Sequence, residues 1–172
     1  MIKKLLPLLL LILIGCSKNG VYETYYKDSQ LVNFVTTYKN GEIVSRQEFL
    51  YYSNGQLKEV NSINYHNQKD GTFKYYYENG QLEGEKTYKS GELDGPYKWY
   101  YDNGKLKVER TYKNGFKVGP YTEYYENGQL KEEGTFKDGL RDGPVKLYSK
   151  NGQLFDERTY KDDKLIGSYR QY

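Results

Sequence analysis

Cysteine, histidine, tryptophan and methionine each occur once in the 172 residues, as Cys16, His66, Trp99 and Met1. One cysteine excludes an internal disulfide framework. One histidine leaves metal and general-base chemistry without partners at defined spacing, and His66 does not recur, so it reads as a surface or packing residue. No long apolar run follows residue 14, and mean hydropathy is −0.95, so an aliphatic globular core is not expected. Charge of one sign is also missing. The formal +3 includes Lys3 and Lys4; without them 24 basic residues face 23 acidic ones, interleaved. With no basic stripe, nucleic acid is excluded as a partner.

Tyrosine and glycine are abundant, at 22 and 18. They fall into a repeat. Tyr76-Tyr77-Glu78-Asn79-Gly80-Gln81-Leu82 returns as Tyr100 to Leu106, as Tyr124 to Leu130 and, with Ser149 for the second tyrosine, as Tyr148 to Leu154. The glycines at 80, 104, 128 and 152 are 24 residues apart, and earlier copies begin at Tyr51 and, with Ser29 for the glycine, at Tyr25. A fixed period of this size marks units that bury surface by stacking on their neighbours.

Within a unit, Asn-Gly separates two short aromatic or β-branched runs, the hairpin signature, with both turn residues at positive φ. The structural turns are therefore Asn79-Gly80, Asn103-Gly104, Asn127-Gly128 and Asn151-Gly152. A two-residue turn at Asn103-Gly104 sets Tyr101 opposite Leu106, Trp99 opposite Val108 and Lys98 opposite Glu109. The same rule sets Lys74 opposite Glu85 and Lys146 opposite Glu157. Three complementary charge pairs on one register support the pairing. Pro96, Pro120 and Pro144 open strands, where a missing N–H matters least. A second glycine turn joins successive hairpins at Ser90-Gly91, Asn114-Gly115 and Asp138-Gly139; Asp162-Asp163 replaces it near the end. The expectation is an all-β, elongated antiparallel β-hairpin repeat solenoid, one meandering sheet of roughly a dozen strands built from about 24-residue units. Its thin core would be Tyr77, Tyr101 and Tyr125 with their leucines. The other face would carry Lys, Glu and Thr with an exposed row, Tyr76, Tyr100, Tyr124 and Tyr148, as the candidate binding row.

At the start, Met1 to Lys4 is basic and Leu5 to Ile14 is an apolar run of about half the roughly 20 residues a spanning helix needs. Residues 1–15 read as a signal peptide. Leu13-Ile14-Gly15-Cys16 resembles the bacterial lipobox, which implies a diacylglycerol-modified Cys16 as mature N-terminus. Residues 16–24 would be a lipid-anchored polar tether and 25–172 the repeats. The expected location is the cell envelope, membrane-anchored through Cys16, at the outer membrane if the cell has one, as Ser17 after the cysteine suggests.

Written G-x-x-x-G-P-Y-x-x-Y-Y-x-N-G-Q-L-K-x-E-x-x-Y-K-x-G, the unit resembles the MORN-repeat variant of bacterial proteins, often labelled YwqK-type antitoxins. The resemblance covers about residues 25–172 and is best from Gly71 to Tyr160. It implies a hairpin solenoid with a binding or scaffolding role. The paired tyrosines also resemble aromatic glucan- and choline-binding cell-wall repeats, although those carry more tryptophan. No catalytic, cofactor or metal set is present: adjacent carboxylates such as Glu132-Glu133 point to opposite faces of a strand, so an enzyme is not expected. The expected function is a non-enzymatic protein-binding or scaffolding module, with cell-wall glycan binding and an antitoxin or immunity role as alternatives.

Overall fold

A computed structural model describes residues 19–27, 29–167 and 170–171. Cys16 and Tyr169 lie outside the described residues. Among the described residues fifteen strands form one sheet. In chain order they are β1 (Gly20–Tyr25), β2 (Val32–Lys39), β3 (Glu42–Tyr51), β4 (Leu57–Asn64), β5 (Gly71–Tyr76), β6 (Leu82–Lys89), β7 (Glu92–Tyr100) and β8 (Leu106–Lys113). There follow β9 (Phe116–Tyr124), β10 (Leu130–Lys137), β11 (Leu140–Arg141), β12 (Gly143–Tyr148), β13 (Leu154–Lys161), β14 (Lys164–Leu165) and β15 (Arg170–Gln171). β1 to β10 each pair antiparallel with the next strand; β11 and β12 both pair with β10, β13 with β12, and β14 and β15 both with β13, giving thirteen ranks. The expected meander is the observed fold. Residues 20–24, expected within a polar tether, belong to β1, with Gly20 paired to Tyr38 and Thr24 to Phe34.

The charge register holds. Lys98 faces Glu109, Lys74 faces Glu85 and Lys146 faces Glu157. The Lys98–Glu109 ion pair closes at 2.9 Å, whereas Lys146 Nζ lies 3.6 Å from Glu133 on its other neighbour.

The turns, however, are exchanged. At the Asn-Gly tips only the glycine has positive φ, +80° at Gly104. Tyr101 N–H donates to Lys105 O at 2.8 Å and Gly104 N–H to Tyr101 O at 2.9 Å, closing a three-residue loop. That is the hairpin in which a glycine bulge follows a tight turn. A loop one residue longer than expected shifts the pairing, so Leu106 faces Tyr100 rather than Tyr101. An irregularity between Trp99 and Tyr100 restores it, and Trp99 faces Val108 as expected. The two-residue turns with both φ positive are the other set: Ser90 and Gly91 at +49° and +94°, Asn114 and Gly115 at +47° and +80°. Asp162 and Asp163, at +49° and +61°, make the same turn without glycine.

Alternation along the strands puts Phe73, Tyr75, Tyr97, Trp99, Tyr121 and Val145 on one face. That face holds the core. The most buried apolar side chains among the described residues include Phe73, Val108, Tyr121, Phe136 and Val145. Tyr121 meets Phe136 at 4.6 Å between centroids, and Phe73 meets Tyr88 at 4.9 Å. Cations lie over these rings: Lys86 Nζ is 4.8 Å from Tyr75, Arg110 Cζ 5.3 Å from Tyr97, and Lys117 Nζ 4.8 Å from Phe136. Each such contact is worth about 0.5–1 kcal/mol at an exposed site and more when dry. With no second layer in the described sheet, long cationic stems cover the aromatic face.

Candidate binding surface

The opposite face repeats a simple pattern. Thr72, Pro96, Pro120 and Pro144 lie near one edge, and Lys74, Lys98, Thr122 and Lys146 run down the middle. Tyr76, Tyr100, Tyr124 and Tyr148 lie near the tips. The structure brings all four tyrosines of the expected row together on this face. Each faces a leucine across its hairpin: Leu82, Leu106, Leu130 and Leu154. The row is thus a tyrosine–leucine stripe, two ranks or about 10 Å per step. Its side chains are half-buried rather than exposed as expected. At its N-terminal end Tyr76 lines a shallow concavity of about 480 Å³ with Phe49, Leu57, Val60 and Lys74. At the other end the Tyr148 hydroxyl donates to Glu133 Oε1 at 2.8 Å. Burial, and then that bond to a carboxylate, push the Tyr148 phenol up to about 12.

The row is held in step by the tyrosines that follow it. Tyr77, Tyr101 and Tyr125 were expected as core; they stand instead at the tip edge, bonded to the next hairpin. Tyr77 O–H donates to Tyr100 O at 2.8 Å, Tyr101 O–H to Tyr124 O at 2.8 Å, and Tyr125 O–H to Tyr148 O at 2.9 Å. The series continues upstream, from Tyr52 to Tyr76 O at 2.8 Å and from Tyr26 to Phe49 O at 3.1 Å. The asparagines run a parallel series. Asn103 Oδ1 accepts from Lys105 N–H at 3.0 Å, while its Nδ2 donates to Glu126 O at 3.1 Å. Asn79 donates likewise to Asp102 O at 3.4 Å and Asn127 to Lys150 O at 2.8 Å. Ser149 ends the tyrosine series, its hydroxyl turning back onto Gln153 O at 3.1 Å and onto Asn151 Oδ1. The period could have disclosed this series, since from Tyr52 to Tyr125 both partners keep their place in each unit.

Two glycines escaped the sequence reading. Gly84 and Gly134 lie inside strands because rings cover them: a Cβ would fall 2.4 Å from Trp99 and 2.8 Å from Tyr121. His66 sits exposed in the loop after β4, its ring 3.9 Å from that of Tyr65. Among the described residues no group of three or more His, Cys, Asp or Glu side chains is placed to hold a metal ion.

This geometry defines an open, single-sheet hairpin-repeat protein. The chain belongs to the MORN repeat variant family, whose model matches residues 69–90, 93–114, 117–138 and 141–162, together more than half of the sequence. Repeats of this family are generally binding modules for proteins or membranes. The matches begin at Lys69, yet β1 to β4 continue the same sheet and the same hydroxyl series upstream. No curated protein matches the chain significantly. Among solved structures, a crystal structure of a protein with unknown function from Bacteroides fragilis NCTC 9343 is similar at 9% identity, covering 90% of this chain and 93% of that one, with a TM-score of 0.17.

Proposed function

We propose that this protein is a lipid-anchored binding module of the cell envelope, held through Cys16, whose contact surface is the Tyr76, Tyr100, Tyr124 and Tyr148 row and whose partner is another envelope or secreted protein. The observation that carries the reading is the row itself. Four tyrosines recur at one period on the face that otherwise bears Lys, Glu, Thr and Pro, each with a leucine opposite. Tyrosine offers a large amphipathic contact at low entropic cost and is enriched in interface cores. The flanking ion pairs favour a protein over a glycan, because they match a surface that carries both signs of charge.

The basic start, the short apolar run and the lone cysteine support the anchor. Its test is mass spectrometry of the chain recovered from cells: a diacylglycerol-modified Cys16 is expected, and an unmodified cysteine would remove the anchor from the account. The partner class is tested by co-sedimentation of residues 17–172 with purified cell-wall sacculi, with soluble sugar as competitor. Absence from the pellet, with binding to solubilised envelope protein that Y100S/Y124S abolishes, is expected. Pelleting that sugar reverses would make the protein a glycan binder instead.

A further inference from the structure

The edge bearing the two-residue turns, opposite the Asn-Gly tips, carries large apolar side chains that the fold leaves uncovered. Tyr65 is 67% exposed, Phe116 61% and Leu165 55%, with Leu140 and Ile166 also exposed. Phe116 and Leu140 occupy the same position of successive turns, and Phe116 leans over Gly139 of the next one. Exposed apolar groups in a row along one edge mark an interaction site more than scattered ones do. Two ion pairs lie on this edge, with Lys113 3.0 Å from Asp94 and Lys161 2.6 Å from Asp142.

The chain enters the sheet at the same edge. Asn40 N–H, in the first of these turns, donates to Asn19 Oδ1 at 2.6 Å, and Gly20 pairs with Tyr38 beside it. Cys16 is three residues before Asn19, so an extended chain keeps it within about 11 Å of this edge. We propose that this edge lies against a lipid surface, Tyr65, Phe116, Leu140, Leu165 and Ile166 entering the headgroup–acyl boundary, with the tyrosine face left free for its partner. The proposal rests on the reading of Cys16 as the anchor. It adds that the sheet lies edge-down along its length instead of standing on its N-terminal end. Phe116 opens β9, eight ranks from β1 and about 40 Å away, so the anchor alone does not bring it to the membrane. The contact is assigned to the apolar side chains, so it needs no anionic lipid.

The lone cysteine makes the test site-specific. The chain from Cys16 onward, which keeps every described residue, is coupled through its thiol to maleimide lipid in phosphatidylcholine vesicles containing brominated acyl chains. Single tryptophans are introduced as F116W, L165W and, on the opposite edge, E126W; wild type, with Trp99 alone, supplies the background. Emission from F116W and L165W should fall about twofold or more relative to unbrominated vesicles, as insertion by 5–10 Å requires, with E126W unchanged. Absence of quenching at both positions, or equal quenching of E126W, overturns the proposal. Circular dichroism and urea midpoints confirm that each variant is folded, and L140W replaces either edge variant that is not. Because the tether is chemical, a failure here is distinct from an unmodified Cys16 in cells.

Discussion

At the scale of single residues, side-chain size is matched across neighbouring strands. Trp99 lies over Gly84, and Tyr121 over Gly134. An added methyl at Gly84 must displace the indole, because 2.4 Å is far inside contact distance. G84A should therefore destabilise by about 1–3 kcal/mol, read as a lower urea midpoint, and W99L should recover part of the loss by making room. Equal stability of G84A and wild type would show that the indole does not cover this glycine. The Tyr101 hydroxyl gives a second case. Y101F leaves Tyr124 O without its side-chain donor and should lower stability by about 1 kcal/mol. The reverse change at Phe116, F116Y, touches no such bond and should be near neutral.

At the scale of the hairpin, the sequence displays two glycine turns per unit and does not say which takes which geometry. Asn-Gly suits a two-residue turn and equally a longer loop with its glycine at positive φ, and local propensity ranks the first higher. The sheet chose the second at the tips, because there the asparagine amide reaches the next tip. That partner is 23 residues away in sequence, beyond any local rule. The compensating irregularity beside Trp99 is likewise silent, since Lys107 looks like any strand residue. Register nevertheless remained legible from Lys98 and Glu109, because loop and irregularity cancel before that pair is reached. The tyrosine row was legible from its period, whereas its leucine partners were not, as they lie inside the shifted segment. The core was misassigned for a related reason: paired tyrosines suggest burial, but one of each pair sits where the strand ends and its hydroxyl finds a carbonyl. Phe73, Tyr97, Tyr121 and Val145 recur at the same period in less conspicuous surroundings. The exchange of turns predicts opposite responses to one substitution. N114G keeps a two-residue turn that needs positive φ and should be near neutral. N103G removes both side-chain bonds and should lose about 1–2 kcal/mol in urea titrations. If both are neutral, the tip is a two-residue turn after all.

At the scale of the whole molecule, stability is spread along thirteen ranks, and tyrosine supplies much of it. Burial first, with nearby carboxylates adding, raises the phenols of Tyr121 and Tyr148, the latter to about 12; burial chiefly raises Tyr75 and Tyr112 as well. A raised acid favours its neutral form in the folded state, so this contribution is complete below pH 10, the ordinary phenol value. Above it the unfolded chain loses protons first, and stability falls as pH rises from 10 to about 12. Tyrosinate absorbance should lag behind free tyrosine and then rise together with loss of the β-sheet circular dichroism signal. A smooth titration centred at pH 10 with the sheet intact would contradict the packing described. At the acid end, Lys113 holds the Asp94 carboxyl below its ordinary value, so its contribution is present above about pH 4 and is lost as pH falls below it. D94N should flatten that part of the melting-temperature profile.

The open sheet has one face covered by cationic stems and the other striped with tyrosine, and we propose that the stripe is the face a partner meets. The most direct test is photo-crosslinking in living cells, with benzoylphenylalanine placed at Tyr100 or Tyr124 in the row and at Tyr112 on the aromatic face. The account predicts a discrete protein adduct from the row positions and none from Tyr112. Adducts of equal strength from both faces, or none from the row in a protein that remains folded and anchored, would contradict it.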